Sequence, residues 1–190
     1  MLFRLLYLIR LFQNHIFSCI IRLGFKKVGK NFLAEYPIRV IGGNHITIGD
    51  NFNSFGRLRI EAHSRHKKHL YNPSIIIGDN VSFNFDCHIG CINKVVIGDN
   101  VLIASRVFIT DHYHGDITTE ALQIPPSKRK IESPGPVIIE ENVWIGEGVA
   151  IMPNLTIGRN SIIGSNAVVT KSFPPNSVIA GVPAKLIKTI

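Results

Sequence analysis

The chain has 190 residues, 45% of them apolar and 18% charged, and a net charge of +8. That length suits one domain with a sizeable core, and the composition excludes an intrinsically disordered chain. The positive charge favours anionic partners (a phosphorylated cofactor, nucleic acid or a membrane surface) without choosing among them. Three cysteines, Cys19, Cys87 and Cys91, form no CxxC pair. This argues against a disulfide scaffold and fits a reducing compartment.

The first segment, MLFRLLYLIRLFQNHIFSCIIRL, is strongly apolar. Arg4, Arg10, Asn14, His15 and Arg22 nevertheless break every run well short of the ~20 residues that a membrane span needs. No small-residue cleavage site follows a clean apolar core, so a secretory signal is not expected. At helical spacing Arg4, His15, Ser18 and Arg22 share one side, flanked by Arg10 and Asn14, and apolar residues fill the rest. Residues 1–26 are expected to form an amphipathic helix. Its wide apolar face would pack on the domain or a sister subunit, or meet a membrane surface through residues 1–24.

Beyond the helix one phrase recurs: VGKN at 28–31, IGDN at 48–51, 77–80 and 97–100, IEEN at 139–142 and IGRN at 157–160. Apolar residues step by six through Ile97, Ile103 and Ile109, and again from Ile139 through Ile145, Ile151, Ile157 and Ile163 to Val169. A second small or apolar series follows four residues behind: Val101, Val107, Val143, Val149, Leu155, Ser161 and Ala167. Neither a helix nor simple alternation sustains such a period. The phrases lie 20, 29, 20, 42 and 18 residues apart, so the chain is expected to wind in three-sided coils of 18 residues with insertions between them. Gly, Asp and Asn of the phrase suit the corners. Residues 27–176 are thus predicted as an all-β parallel β-helix, interrupted near 62–73 and 113–136, with residues 177–190 as a short tail.

The first insertion holds His63, His66 and His69 among Arg65, Lys67 and Lys68. Such a clustered cationic stretch is a poor cation site, and an exposed loop that touches an anionic acceptor is the preferred expectation. No metal is expected.

Residues 97–112 (IGDNVLIASRVFITDH), 139–188 (IEENVWIGEGVAIMPNLTIGRNSIIGSNAVVTKSFPPNSVIAGVPAKLIK) and 77–86 (IGDNVSFNFD) resemble the sugar O-acetyltransferase branch of the hexapeptide-repeat acyltransferases. This group includes the galactoside and maltose acetyltransferases. The resemblance implies a left-handed coil, a homotrimer with active sites between neighbouring prisms, and acetyl-CoA as donor. It also implies His112 as general base, since its histidine matches the T-x-H that Thr110-Asp111-His112 spells. Asn84 matches an asparagine of the acceptor pocket, and Trp144 matches a tryptophan beside the pantetheine arm. Lys171 and Lys185 match basic positions near the phosphates of coenzyme A, and Gly181-Val182-Pro183 the stretch beside its adenine.

The residues themselves add detail. His112 follows the core position Ile109 by three and should leave the prism surface where the long insertion begins. A positioned histidine suits proton removal near neutral pH. His114 is expected either to face the substrate with His112 or to be exposed. Asp111, adjacent on a strand, should point away from His112. Asp86, two residues after Asn84, should share its face and either bind a sugar hydroxyl, support His112 or lie in solvent. Gly164, Ser165, Asn166 and Ala167 offer small residues along which pantetheine can lie, and Pro183 belongs to the tail that completes the coenzyme site.

The expected function is transfer of acetyl from acetyl-CoA to a sugar hydroxyl in cell-surface polysaccharide synthesis, in the cytoplasm at the inner face of the membrane. N-acetylation of an amino sugar or antibiotic, and a metal-dependent or non-catalytic β-helix, are the competing functions. No nucleic-acid partner is expected, because no binding motif accompanies the charge.

Overall fold

A computed structural model describes residues 2–115 and 118–190. Met1 of the predicted helix and residues 116–117 of the second insertion lie outside the described residues.

The six-residue period becomes a three-sided prism. Face one stacks six parallel strands, from Lys27–Val28 to Leu155–Ile157. Face two begins at Leu33–Ala34 and face three at Ile38–Ile41, and face three ends at Val168–Val169 after six strands. The leading residues Ile97, Ile103, Ile109, Ile139, Ile145, Ile151, Ile157, Ile163 and Val169 are all at most 1% exposed. Each ring of aliphatic side chains covers the ring below, and this burial supplies the main stabilisation. Towards the N-terminus phenyl rings take over the stack, with Phe32 on Phe52 and Phe52 on Phe83.

The recurring phrase explains the edge between faces one and two. Asp50 accepts the Lys30 amide at 2.7 Å, Asp79 the Asp50 amide at 2.6 Å and Asp99 the Asp79 amide at 2.7 Å. The asparagine beside each takes a left-handed backbone, which Asn tolerates better than most residues. Their side chains form a ladder from Asn31 to Asn176 through Asn51, Asn80, Asn100, Asn142 and Asn160.

The tail differs from expectation at its start. Ser177–Gly181 still pairs in parallel with Ile162–Ile163, because Ile179 keeps the inward position above Ile163. Only Ala184–Thr189 turns back, antiparallel, to close face two as its eighth strand.

The N-terminal helix, α1 (Leu2–Ile21), ends in a 3-10 turn at Arg22–Gly24. It docks partly through polar residues, unlike the usual amphipathic arrangement. Its buried residues are Asn14 and Ser18. Ser18 Oγ accepts the Ala34 amide at 2.9 Å and donates to the Asn14 carbonyl at 2.6 Å, and Asn14 Oδ1 accepts the Tyr36 amide at 3.4 Å. The polar stripe docks because the first strand of face two is a sheet edge whose backbone groups need partners. Phe17 and Ile21 pack partly against the core beside them, but most of the apolar residues are left outside. Leu2, Phe3, Leu5, Leu6, Tyr7, Leu8, Ile9 and Phe12 are all exposed. No helix among the described residues is long and apolar enough to cross a membrane.

Both insertions leave the edge between faces three and one. The first forms a hairpin, Arg65–His66 with His69–Leu70. The second opens as a ribbon pairing Tyr113–His114 with Ile131–Glu132. The hairpin tip is exposed as expected, but it is not a free loop. Lys67 Nζ donates to the Ser127 carbonyl, Tyr71 Oη donates to the Ile131 carbonyl at 2.9 Å, and the His66 ring meets that of His114 edge-on at 6.2 Å. Among the described residues no group of three or more His, Cys, Asp or Glu side chains is arranged to hold a metal.

Candidate active site

Face three presents its outward side chains in rows. One row runs Arg39, Arg59, His88, Phe108, and the next runs Glu61, Gly90, Thr110. Where these rows meet the two insertions, a cavity of about 240 Å³ opens, lined by Arg59, Glu61, His63, His88, Phe108, His112 and His114. Gly90 makes room for it, since a Cβ there would lie 3.2 Å from His112 Cε1.

His112 is held by its neighbour, which corrects the expectation that Asp111 points away. The strand ends at Thr110, and the chain bends at Asp111. The alternation assumed for adjacent strand residues therefore stops there. Asp111, 0% exposed, accepts the amides of Ile92 and Asn93, at 2.9 and 2.8 Å, and the Cys91 thiol at 3.2 Å. Its Oδ1 lies 3.0 Å from His112 Nδ1. Burial opposes ionisation of Asp111, but the His112 contact and the two amides outweigh it and hold the carboxyl below its ordinary value. An ionised Asp111 accepts from Nδ1–H, leaving Nε2 as the basic nitrogen available to the cavity.

Glu61 anchors the opposite wall. Arg39 Nε donates to it at 2.8 Å and Arg59 Nη2 at 3.3 Å, while His63 and His88 Nε2 stand 3.4 and 3.3 Å away. Burial raises the Glu61 pKa, yet Arg39, Arg59 and His88 together bring it below the ordinary value. Burial and the Arg59 charge push the His88 pKa below its ordinary value, against the pull of Glu61. Glu61, His88 and Arg59 were not among the residues expected from the sequence, and His63 was expected only in an exposed loop. The Arg-x-Glu alternation of Leu58–Ala62 was the available signal, since alternate strand residues share a face.

The other predicted residues lie elsewhere on the protomer. Asn84 and Gly164 occupy one stacked series at the edge between faces two and three. Their amides donate to Ile103 and Ile179, and between them Ala104 and Gly146 donate to Ile145 and Ile163. Trp144, 51% exposed, projects from face two two residues before Gly146. Ser165 and Asn166 complete the corner after Gly164, with Asn166 left-handed. Lys185 pairs with Ala180 on the last two strands of face two, beside the turn that holds Pro183. Lys171 lies over the Phe173 ring at 5.7 Å. A line of small residues flanked by an exposed indole and exposed lysines fits a long, thin, phosphorylated molecule.

Asp86 lies exposed at a turn, one of the settings expected for it, and not on the face of Asn84. The strand ends at Phe83 and Asp86 has φ 62°, so it turns the corner and no longer shares the face of Asn84. There it pairs with Arg57 through both carboxylate oxygens, at 2.5 and 2.7 Å. No hydrogen bond or ion pair among the described residues joins the Asn84–Trp144 set to His112 and His114.

Comparison with known proteins identifies the class. The family model for bacterial transferase hexapeptide (six repeats) matches residues 136–171. WbbJ of Escherichia coli strain K12, provisionally named a lipopolysaccharide biosynthesis O-acetyl transferase, is 41% identical over 160 residues, covering 82% of this chain and 78% of the relative. The chain therefore belongs to the hexapeptide-repeat acetyltransferases. A solved galactoside acetyltransferase in complex with coenzyme A is 34% identical with a TM-score of 0.62, over 90% of this chain and 68% of that one. A variant of AntD, an N-acyltransferase from Bacillus cereus solved with dTDP-4-amino-4,6-dideoxyglucose and coenzyme A, has a TM-score of 0.74 at 24% identity, over 90% and 87% of the two chains. It shares the fold, a left-handed parallel β-helix.

Proposed function

We propose that the protein transfers the acetyl group of acetyl-CoA to a hydroxyl of a sugar destined for a cell-surface polysaccharide, with His112 as general base. The buried Asp111–His112 pair facing a polar cavity carries this assignment. His112 Nε2 takes the proton as the acceptor oxygen attacks the thioester carbonyl. The tetrahedral intermediate then expels the thiolate of coenzyme A, which recovers the proton from His112. Asn84 contributes to the acceptor pocket, and His114 contacts the acceptor beside His112.

Coenzyme A runs along Ala104, Gly146 and Gly164, with Trp144 against the pantetheine and Lys171 and Lys185 near the phosphates. The small-residue line and the exposed Trp144 support this path. The resemblance implies a homotrimer as the working unit, and the separation of the coenzyme line from the His112 cavity on one protomer supports a site shared between subunits. Each active site then pairs the cavity of one prism with the coenzyme line of its neighbour. Calorimetry is expected to show acetyl-CoA binding that weakens at least tenfold in both Trp144→Ala and Lys171→Ala. Wild-type affinity in both variants would move the coenzyme elsewhere.

The exposed start of α1 seats the enzyme on the inner face of the cell membrane. Leu2–Ile9 is apolar on all sides except Arg4, and a neighbouring subunit covers only one side of such a helix, whereas a lipid leaflet covers all. Eight helical residues span about 12 Å, close to the ~15 Å of one leaflet's hydrocarbon, and arginines near that boundary favour anionic headgroups. Vesicles containing anionic lipid are expected to float the wild type and not a Phe3→Gln, Leu5→Gln, Leu8→Gln, Phe12→Gln variant. Equal flotation would reject membrane attachment.

A further inference from the structure

We propose that the acceptor is anionic: a glycosyl group bearing phosphate, held on Arg39, Arg57 and Arg59 while its sugar reaches His112. This rests on the acetyl-transfer assignment above and names the substrate class. A second cavity of about 360 Å³ adjoins the first on face three, and Arg59 and His88 line both. Arg39 and Arg57 line the second one. From the strand that ends at Thr110 to the strand of Arg39 is three steps across the sheet, about 14 Å at the usual strand spacing. A sugar in the first cavity with a phosphate or diphosphate in the second follows that row.

The two carboxylates here orient the guanidinium groups without saturating them. Glu61, with a side chain only 6% exposed, engages Arg39 through Nε and Arg59 through Nη2. Both terminal nitrogens of Arg39, and Nε and Nη1 of Arg59, have no hydrogen-bond partner among the described residues. These side chains remain 65% and 50% exposed. Arg57 gives Nε and Nη2 to Asp86 and keeps Nη1. Three guanidinium groups face two carboxylates, so the cleft carries excess positive charge. Planar N–H forks suit phosphate oxygens, and a neutral sugar hydroxyl makes no use of them.

The test is calorimetric titration of inorganic pyrophosphate into protein saturated with coenzyme A, so that the coenzyme's own phosphate sites are filled. Wild type is expected to bind, and Arg39→Gln, Arg59→Gln combined is expected to lose at least tenfold in affinity with coenzyme A binding unchanged. Glu61→Gln removes a competing charge and is expected to bind pyrophosphate severalfold more tightly, which a merely structural role for these groups would not produce. Titrating UDP separates the sources of the phosphate: tighter binding than pyrophosphate indicates a nucleotide-linked sugar, and equal binding a lipid-linked or simple glycosyl phosphate. No pyrophosphate binding at millimolar concentration, or equal binding by the double variant and wild type, overturns the proposal. Failure to bind coenzyme A would instead remove the transferase assignment, and the pyrophosphate titration would still report on the cleft.

Discussion

His112→Ala is expected to lower kcat/KM for acetyl transfer by about 10²–10⁴-fold, the usual contribution of a positioned general base. The cavity wall should survive the change, because Asp111 keeps its amide partners Ile92 and Asn93 and so stays a satisfied buried carboxylate. Coenzyme A affinity should therefore stay at the wild-type level while turnover collapses. Asp111→Asn provides the companion result. It removes the anion that fixes the proton on Nδ1, so Nε2 is no longer reliably the basic nitrogen, and kcat should fall with KM little changed. His114→Ala should act chiefly on KM, since His114 lines the cavity beside His112 but is not the histidine that Asp111 orients. Steady-state kinetics with hydroxylamine treatment of the product checks all three, because esters are cleaved and amides survive. A fully active His112→Ala enzyme would exclude His112 as base, and loss of turnover in His114→Ala alone would transfer the role to His114.

The largest effect on stability is expected at the centre of the stack. Ile145 is 0% exposed and sits in register between Ile103 and Ile163. Ile145→Ala should cost about 2–5 kcal/mol, because the stacked strands on both sides limit collapse into the void. For a domain of this size that corresponds to roughly 4–20 °C in Tm, measured at equal protein concentrations since any assembly shifts the midpoint. Ile76→Ala, on the outer surface of face one and 39% exposed, provides the control and should change stability by about 0.5 kcal/mol or less. Equal melting of Ile145→Ala and wild type would mean that the inward register is wrong.

The register itself was legible because a period of six leaves no other repeating geometry. Each leading Ile from Ile97 to Ile163 lies inside, and the Asp and Asn of the phrase sit at the corner expected for them. Contacts set by more than one segment were harder to see. Asp111 looked misdirected because the alternation rule holds only within a strand, and the strand stops one residue earlier. Asp86 leaves the face of Asn84 for the same reason, since its left-handed backbone ends that face. Glu61 carried only one local sign, the Arg-x-Glu alternation of its strand. Its role comes from Arg39 on one neighbouring strand and His88 on the other, 22 and 27 residues away along the chain. The docking of α1 through Asn14 and Ser18 was not foreseen, because hydrophobic patterning reports what a helix can bury and not what an open sheet edge demands.

One edge of the prism receives every long departure from the repeat. The edge between faces one and two is locked by the aspartate contacts and the asparagine ladder, and the edge between faces two and three by its stacked small residues. Neither can gain a residue without breaking register in the coils above and below. At the third edge, lengthening a loop costs little, about 0.6 kcal/mol for each doubling of its length. That is where His63, His112 and His114 stand. Descendants of such a chain can exchange one acceptor for another by rewriting a single seam, while the buried rings inherit their neighbours unchanged.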